Sequence, residues 1–375
     1  MQMIIRTDLL QESCAKILNA VDSNVLASVT ETLEITGKDN QVVFAVTNRE
    51  YYVEIKLDTD VTEDFHATVN ANLFLKLVSK VTSETIELTI QGNSLKVKCN
   101  GEYKLPLIFE GDKLMTLPKI EIENVSEKLE MDSSVLHSIA NFNSKELGKG
   151  TISKPIQKLH YVDNKGAVTF TTGACVNNFT SNMKSKLLFN DRLVKLFKLF
   201  KDKQVEVTVG HNVIDSDTNA TVVVFDAPGI HISSILSCDD TMLSQYPVSA
   251  IRGRSETSYP STVSLNKTSL LQTIDRLTLF AAINVSDVNR NVMKLEFKKD
   301  GVTIYDRSGA NKETVYYSNP VDDMEEYTVS LESSDLTKTL ATCVNQLVTV
   351  SFGNRQAVLV TEGMVHWVIP ECIED

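Results

Sequence analysis

The chain has 375 residues, 42% of them hydrophobic and 23% charged, the makeup of a globular protein with two or three modest domains. Its formal net charge of −12 argues against a chain that coats itself on nucleic acid, while leaving room for one local basic surface. No apolar run reaches the roughly 18 to 20 residues of a membrane span, and Met1–Asp8 lacks the cationic, apolar pattern of a signal peptide, so no membrane role and a cytoplasmic home are expected.

Periodicity reveals one α+β cassette written three times. Each copy opens with an apolar strand, an N-cap-like residue and a short amphipathic helix. Several strands, a second amphipathic helix and a dense run of alternating strands follow. In the first copy Met3-Ile4-Ile5 leads through Thr7 to a helix carrying Leu9, Leu10, Ala15, Ile17 and Leu18. Strands are expected at Thr32–Thr36, Val42–Thr47 and Tyr51–Leu57, then a helix from about Asn70 with Leu73, Leu77, Val78 and Val81 on one face. Thr85–Ile90, Ser94–Cys99 and Glu102–Leu107 close the copy; their alternation marks a sheet with one wet face.

The second copy starts at Lys128-Leu129-Glu130, with Asp132 as N-cap of a helix through Leu136, Ile139 and Ala140. Strands Lys158–Val162, Ala167–Thr171 and Asn178–Ser181 precede a helix that begins near Asn190, its charge pattern read over Leu188–Lys203, and Gln204–Val209, Thr221–Phe225 and Gly229–Ser234 follow. The third copy begins at Thr262-Val263-Ser264, where Asn266 caps a helix through Leu270, Leu271, Ile274 and Leu277. Strands Met293–Phe297, Gly301–Asp306 and Lys312–Tyr317, a helix from Ser333, and strands Val348–Phe352, Ala357–Thr361 and Met364–Ile369 complete it. Linker-like segments at Glu110–Ser126 and Ser249–Pro260 place the domains at 1–122, 127–250 and 260–375.

Catalytic chemistry is not visible in this pattern, and no cofactor or metal is expected. Cys14, Cys99, Cys175, Cys238, Cys343 and Cys372 stand far apart with no C-x-x-C pair, which suits small buried hydrophobes. His66, His137, His160, His211, His231 and His366 show no metal-ligand spacing. Gly148-Lys149-Gly150-Thr151 lacks the first glycine of a phosphate loop at the right distance. Asp215-Ser216-Asp217-Thr218-Asn219 opens like a calcium loop, but Ala220 stands where that loop needs glycine and Asp226 where it needs glutamate, so a polar hairpin turn is expected.

Charge placement carries more information. On the second copy's second helix Leu193, Leu196, Phe197 and Phe200 form one apolar stripe, and Arg192, Lys195, Lys198 and Lys201 project opposite at three-residue spacing. The first copy offers Lys76 and Lys80, the third Lys267, Arg276 and Lys338, and a loop of the second Lys145, Lys149, Lys154 and Lys158. Acids gather on turns and linkers, as at Asp58, Asp60, Glu63 and Asp64. Lysines on equivalent helix faces suit phosphates without base readout.

The triple cassette, with Leu270-Leu271-Gln272-Thr273-Ile274-Asp275-Arg276, Gln245-Tyr246-Pro247 and the ending Trp367-Val368-Ile369-Pro370, resembles the bacterial DNA polymerase III β subunit family from Met3 to Pro370. That resemblance implies a non-catalytic processivity factor: three clamp domains per chain, two pore-lining helices in each, and a head-to-tail homodimer forming a six-domain ring around double-stranded DNA. DNA polymerase and a clamp loader would dock by short peptides in a pocket of Ile156, Thr171, Gly173, Cys175, Val176, Pro247, Ile251, Trp367, Ile369 and Pro370. The chain departs from the family at Ala174-Cys175-Val176 and Ile251, and in its longer acidic tail, Glu371–Asp375. The subunit contact would pair Tyr103 and Leu105 with Leu279 and Phe280 of the next chain. A structural scaffold of repeated modules that never touches DNA is the alternative; it would not need lysines on matching faces.

Overall fold

The first cassette comprises β1 (Gln2–Arg6), α1 (Thr7–Leu18), β2 (Thr32–Lys38), β3 (Gln41–Thr47), β4 (Tyr51–Asp58) and β5 (Phe65–Asn70). It continues with α2 (Ala71–Val78), β6 (Thr85–Gln91), β7 (Ser94–Lys98) and β8 (Glu102–Pro106), and a small hairpin follows, β9 (Phe109–Glu110) and β10 (Lys113–Leu114). The structure is a computed structural model that describes residues 2–21, 28–61, 63–147, 154–201, 203–214, 219–236, 239–281, 292–319 and 324–372.

The second cassette repeats the order: β11 (Asn124–Asp132), α3 (Ser133–Ser138), β12 (Leu159–Asp163), β13 (Gly166–Phe170), β14 (Ala174–Asn178) and β15 (Leu187–Asn190), with a widened turn and α4 (Ser144–Leu147) added after α3. Then come α5 (Asp191–Leu196), β16 (Gln204–Val213), β17 (Asn219–Ala227) and β18 (Ile230–Leu236). Two short helices, α6 (Asp240–Gln245) and α7 (Val248–Glu256), lead to the third cassette. That copy runs β19 (Ser261–Asn266), α8 (Lys267–Ala281), β20 (Val292–Lys298), β21 (Gly301–Tyr305), β22 (Lys312–Tyr316) and β23 (Tyr327–Glu332). It ends with α9 (Ser333–Thr342), β24 (Leu347–Phe352), β25 (Ala357–Glu362) and β26 (Val365–Pro370).

Local chemistry explains the boundaries. In β1 Met3 and Ile5 are buried while Gln2, Ile4 and Arg6 are exposed, the alternation of a strand with one wet face. Asn266 caps its helix as expected, its Oδ1 accepting the Ser269 N–H at 3.0 Å, and Asn70 Oδ1 and Asn190 Oδ1 do the same for the Leu73 and Leu193 N–H at 2.9 and 2.8 Å. Thr7, by contrast, is the first residue of α1, whose start has no side-chain cap. Asp132 receives the Ser134 N–H at 2.7 Å, as its position before α3 predicts.

Several sequence expectations need correction. Four strands, not three, precede the second helix of each copy; β5, β15 and β23 abut that helix directly, so their apolar residues merge with its stripe in the sequence. Leu187–Asn190 is strand, paired with β12, so the span Leu188–Lys203 used for the charge pattern starts too early; the helix begins at Asp191, next to Asn190 as expected, and tightens to a 3-10 turn at Phe197–Phe200. The third strand of the second copy is Ala174–Asn178 rather than Asn178–Ser181. The second linker contains a real helix, α7, although Gly253 and its serines give weak helix propensity. Tertiary contacts hold it: Arg252 forks onto Asp163 with two hydrogen bonds of 2.7 Å, and Ile251 packs on Ala174 and Val368.

Sheet pairing repeats with the cassette. In each copy the opening strand joins the last three, giving β1-β6-β7-β8, β11-β16-β17-β18 and β19-β24-β25-β26. The other four strands form β5-β2-β3-β4, β15-β12-β13-β14 and β23-β20-β21-β22. All these pairings are antiparallel. The half-sheets then fuse: β18 pairs with β4, and β14 with β26, making two continuous eight-stranded sheets. Compactness follows this fusion. One unit holds Met1–Leu136 with Leu196–Asp239, and the other holds His137–Lys195 with Asp240–Asp375, so the second cassette is divided between them.

Candidate functional site

Three features of this fold can carry function. The first is the cationic side of the helices. On α5 and the turn after it, Leu193, Leu196, Phe197 and Phe200 are buried and Arg192, Lys195, Lys198 and Lys201 are exposed, as the three-residue spacing predicts. Lys195 also pairs with Asp191 at 2.7 Å. Lys76 and Lys80 are exposed on and just after α2, opposite buried Phe74, Leu75 and Val78. Lys145, Lys154 and Lys158 are exposed in the second cassette, and Lys149 lies outside the described residues.

The third cassette differs. Lys267 donates to the carbonyls of Cys343 and Val344 at 2.9 and 3.4 Å, neutralising the negative end of α9. Arg276 grips Glu313 with both sides of its guanidinium. Lys338 turns inward, its ammonium 3.0 Å from Glu146 and 3.0 Å from the Thr171 hydroxyl. These three cations already have protein partners, which their charge alone does not reveal.

The second feature is a cavity of about 260 Å³ between α7 and the seam where β14 pairs with β26. Thr171, Gly173, Pro247, Ile251 and Pro370 line it, as the family resemblance implies. Phe170, Thr172, Ala174, Ala250, Arg254 and Val368 line it too and were missed. Cys175, Trp367 and Ile369 do not: they are at most 1% exposed and belong to the third cassette's hydrophobic core. Val176 is equally buried, and Ile156 is half-buried outside the lining. Strand parity is the reason for Cys175, Trp367 and Ile369, though not for Val176, which shares Ala174's face, or for Ile156, which lies outside the strands. Ala174 pairs with Val368 on the outer face, so the adjacent pair Cys175 and Trp367 must point to the core.

Nucleophile chemistry finds no purchase nearby. Ser144, His160 and Asp191 meet, but Ser144 Oγ and His160 Nε2 both approach the same Asp191 oxygen, at 2.6 and 3.2 Å, so Ser144 does not lie on the imidazole; the hydroxyl that does, Thr169 Oγ1 at 2.7 Å from His160 Nδ1, is fully buried. Burial opposes ionisation of Asp191, but hydrogen bonds from His160, Lys195 and Ser144 outweigh it and lower its pKa to about 2. Burial pushes the thiols of Cys14 and Cys343 up to about 12, the behaviour of core cysteines. Among the described residues, no three His, Cys, Asp or Glu side chains are placed to hold a metal. Residues 148–153 and 215–218, with the two loop motifs noted above, lie outside the described residues, although Asn219–Ala227 is strand as a hairpin requires.

The third feature is two of the strands that end a sheet among the described residues. β8 ends the first cassette's β1-β6-β7-β8 sheet, and β22 ends the third cassette's β23-β20-β21-β22 sheet. These are the same positions in the repeat that β18 and β4, or β26 and β14, occupy where half-sheets fuse. Tyr103 on β8 is 44% exposed, and Leu279 and Phe280 at the end of α8 are 69% and 44% exposed. Leu105 is buried within its own protomer at 3%, so it backs the edge from inside.

The arrangement matches known proteins over its whole length. The structure superposes on the DNA polymerase sliding clamp of Bacillus subtilis with a TM-score of 0.77 at 17% identity, covering 100% of both chains. The chain has the fold of a bacterial sliding clamp. The DNA polymerase III β chain of Streptococcus pneumoniae agrees, with a TM-score of 0.78 at 17% identity and 100% of both chains covered. Residues 1–126 match the family model of the DNA polymerase III beta subunit, N-terminal domain. A beta sliding clamp from Mycoplasmopsis pulmonis is 24% identical over 125 residues; the match spans 33% of this chain and about a third, 32%, of that relative's length. In this clamp fold the divergence is concentrated in sequence, not in architecture.

Proposed function

We propose that the protein is a DNA sliding clamp, a non-catalytic processivity factor that encircles duplex DNA and tethers the replicative polymerase. Its three domains are 1–122, 127–250 and 260–375, and two chains join head to tail into a six-domain ring. The observation that carries this reading is the position of two strands that end a sheet among the described residues. A half-sheet ending in β8 and another ending in β22 are the two pieces that fuse at both internal junctions, so a second copy supplies each with its missing partner. A strand edge left bare is an aggregation hazard, and closing a ring removes it.

The remaining features take roles in that frame. Exposed Lys76, Lys80, Arg192, Lys195, Lys198 and Lys201 on the second helices offer point charges to the DNA backbone, which binds phosphate without reading sequence. The cleft under α7 accepts a short apolar peptide from the polymerase or from a loader that opens the ring. Ile251, Ala174 and Val368 form its floor. Among the described residues no helix is long and apolar enough to cross a membrane, in keeping with work in the cytoplasm.

The native mass in solution tests the ring. Sedimentation at micromolar concentration is expected to give twice the chain mass of 41.7 kDa. A lone chain, or an open ladder of multiples, contradicts the reading.

A further inference from the structure

The turn between β13 and β14, Thr171 to Gly173, forms one wall of the α7 cleft, and a group of charges holds it from behind. Thr171 Oγ1 donates to Glu146 of α4 at 3.0 Å and accepts from Lys338 of α9 at 3.0 Å. Lys338 closes the triangle on Glu146 at 3.0 Å and reaches Asp335 at 3.6 Å. The neighbouring Thr172 hydroxyl donates to Asp335 at 2.7 Å. Gly173 fits between: a Cβ there would lie 3.0 Å from the Val368 carbonyl oxygen and 3.7 Å from Glu146 Oε1. Two helices from different cassettes thus grip two successive hydroxyls of one cleft wall.

The group is a costly way to fill space. Glu146 is 2% exposed, and burial raises its pKa against the pull of Lys338 and Thr171. Apolar side chains of similar volume often stabilise such a site as well or better, whereas this ion pair adds hydrogen bonds that converge on the Thr171 hydroxyl. Neither Glu146 nor Lys338 lines the cleft.

We infer that Lys338 and Glu146 are positioning residues of the partner cleft: their ion pair fixes the Thr171–Gly173 turn and so sets the cleft's width without touching its occupant. This rests on the reading of the cleft as a peptide site. With Phe170, Ala174, Ile251 and Val368 in the lining and Arg254 as its charged side chain, the occupant is a short segment with bulky apolar side chains and a carboxylate.

The test uses the full chain, a fluorescein-labelled Gly-Leu-Asp-Leu-Phe probe, and the methyl NMR signals of Ala174 and Val368. K338M should move both signals and weaken probe binding about tenfold, the scale of coupling between neighbouring groups. The double variant E146L/K338M removes the stranded Glu146 carboxylate and leaves Asp335 hydrogen-bonded to the Thr172 hydroxyl, so its melting temperature should recover much of the loss seen in K338M. Its probe affinity and methyl signals should stay displaced, which a merely structural role would not produce. Recovery of affinity and signals in the double variant, or parental values of both in K338M, overturns the inference. If the parent protein fails to bind the probe, the peptide reading of the cleft falls, and the methyl signals still decide whether the ion pair sets the turn.

Discussion

Replacing Leu279 and Phe280 together by alanine should convert the ring to monomers. Full burial of a leucine or phenylalanine side chain contributes about 1.5 to 3 kcal/mol. Leu279 is 69% exposed and Phe280 44% exposed in the protomer, which bounds what a partner can still cover. Scaled by those fractions, the pair contributes about 2 to 3 kcal/mol to one seam. A head-to-tail dimer has two seams, so the loss doubles to about 4 to 6 kcal/mol, or roughly three to four orders of magnitude in dissociation constant. Sedimentation velocity over a dilution series measures this directly, and circular dichroism checks that the protomer remains folded. A dissociation constant close to that of the parent would refute the assignment of this apolar cluster to the seam. A single-seam effect, about half as large in free energy, would refute ring closure while keeping the contact.

Other consequences follow from the same geometry. Ile251→Asp puts a carboxylate on the cleft floor and should weaken a docking peptide by about 2 kcal/mol or more, with a lower melting temperature because the same side chain holds α7; equal affinity in fluorescence anisotropy would remove the cleft from partner binding. Lys198→Ala with Lys201→Ala should flatten the logarithmic salt dependence of duplex binding by about 0.9 for each phosphate no longer neutralised, and an unchanged slope would take these lysines off the DNA face. Asp191 has a pKa lowered from 3.8 to about 2, so its stabilisation is present above the unfolded value and is lost as pH falls through the folded one. Asp191→Asn should therefore cost about 2 kcal/mol in urea unfolding at neutral pH and much less near pH 2; a pH-independent difference would contradict the network around it.

Features that depend on local periodicity were legible in the sequence. The stripe Leu193, Leu196, Phe197, Phe200 against Arg192, Lys195, Lys198 and Lys201 survives in the structure, as do the caps at Asp132 and Asn266. What failed depends on partners far along the chain. The family resemblance implies Cys175 and Trp367 as pocket residues, but the register of β14 against β26 turns them to the core and brings Ala174 and Val368 outward. Lys338 read as a surface cation because its partner Glu146 belongs to another cassette. Helix α7 was hidden by Gly253 and serines, since Arg252 on Asp163 and Ile251 on the sheet, not propensity, hold it.

Encirclement is the central claim, and topology tests it most directly. The protein, loaded with a clamp loader and ATP onto a nicked circular duplex, should co-elute with the DNA through gel filtration in high salt. Cutting that circle once should release it, because only a free end lets a ring slide off. Retention after linearisation, or release from the intact circle as salt rises, would show ordinary electrostatic binding and contradict the clamp.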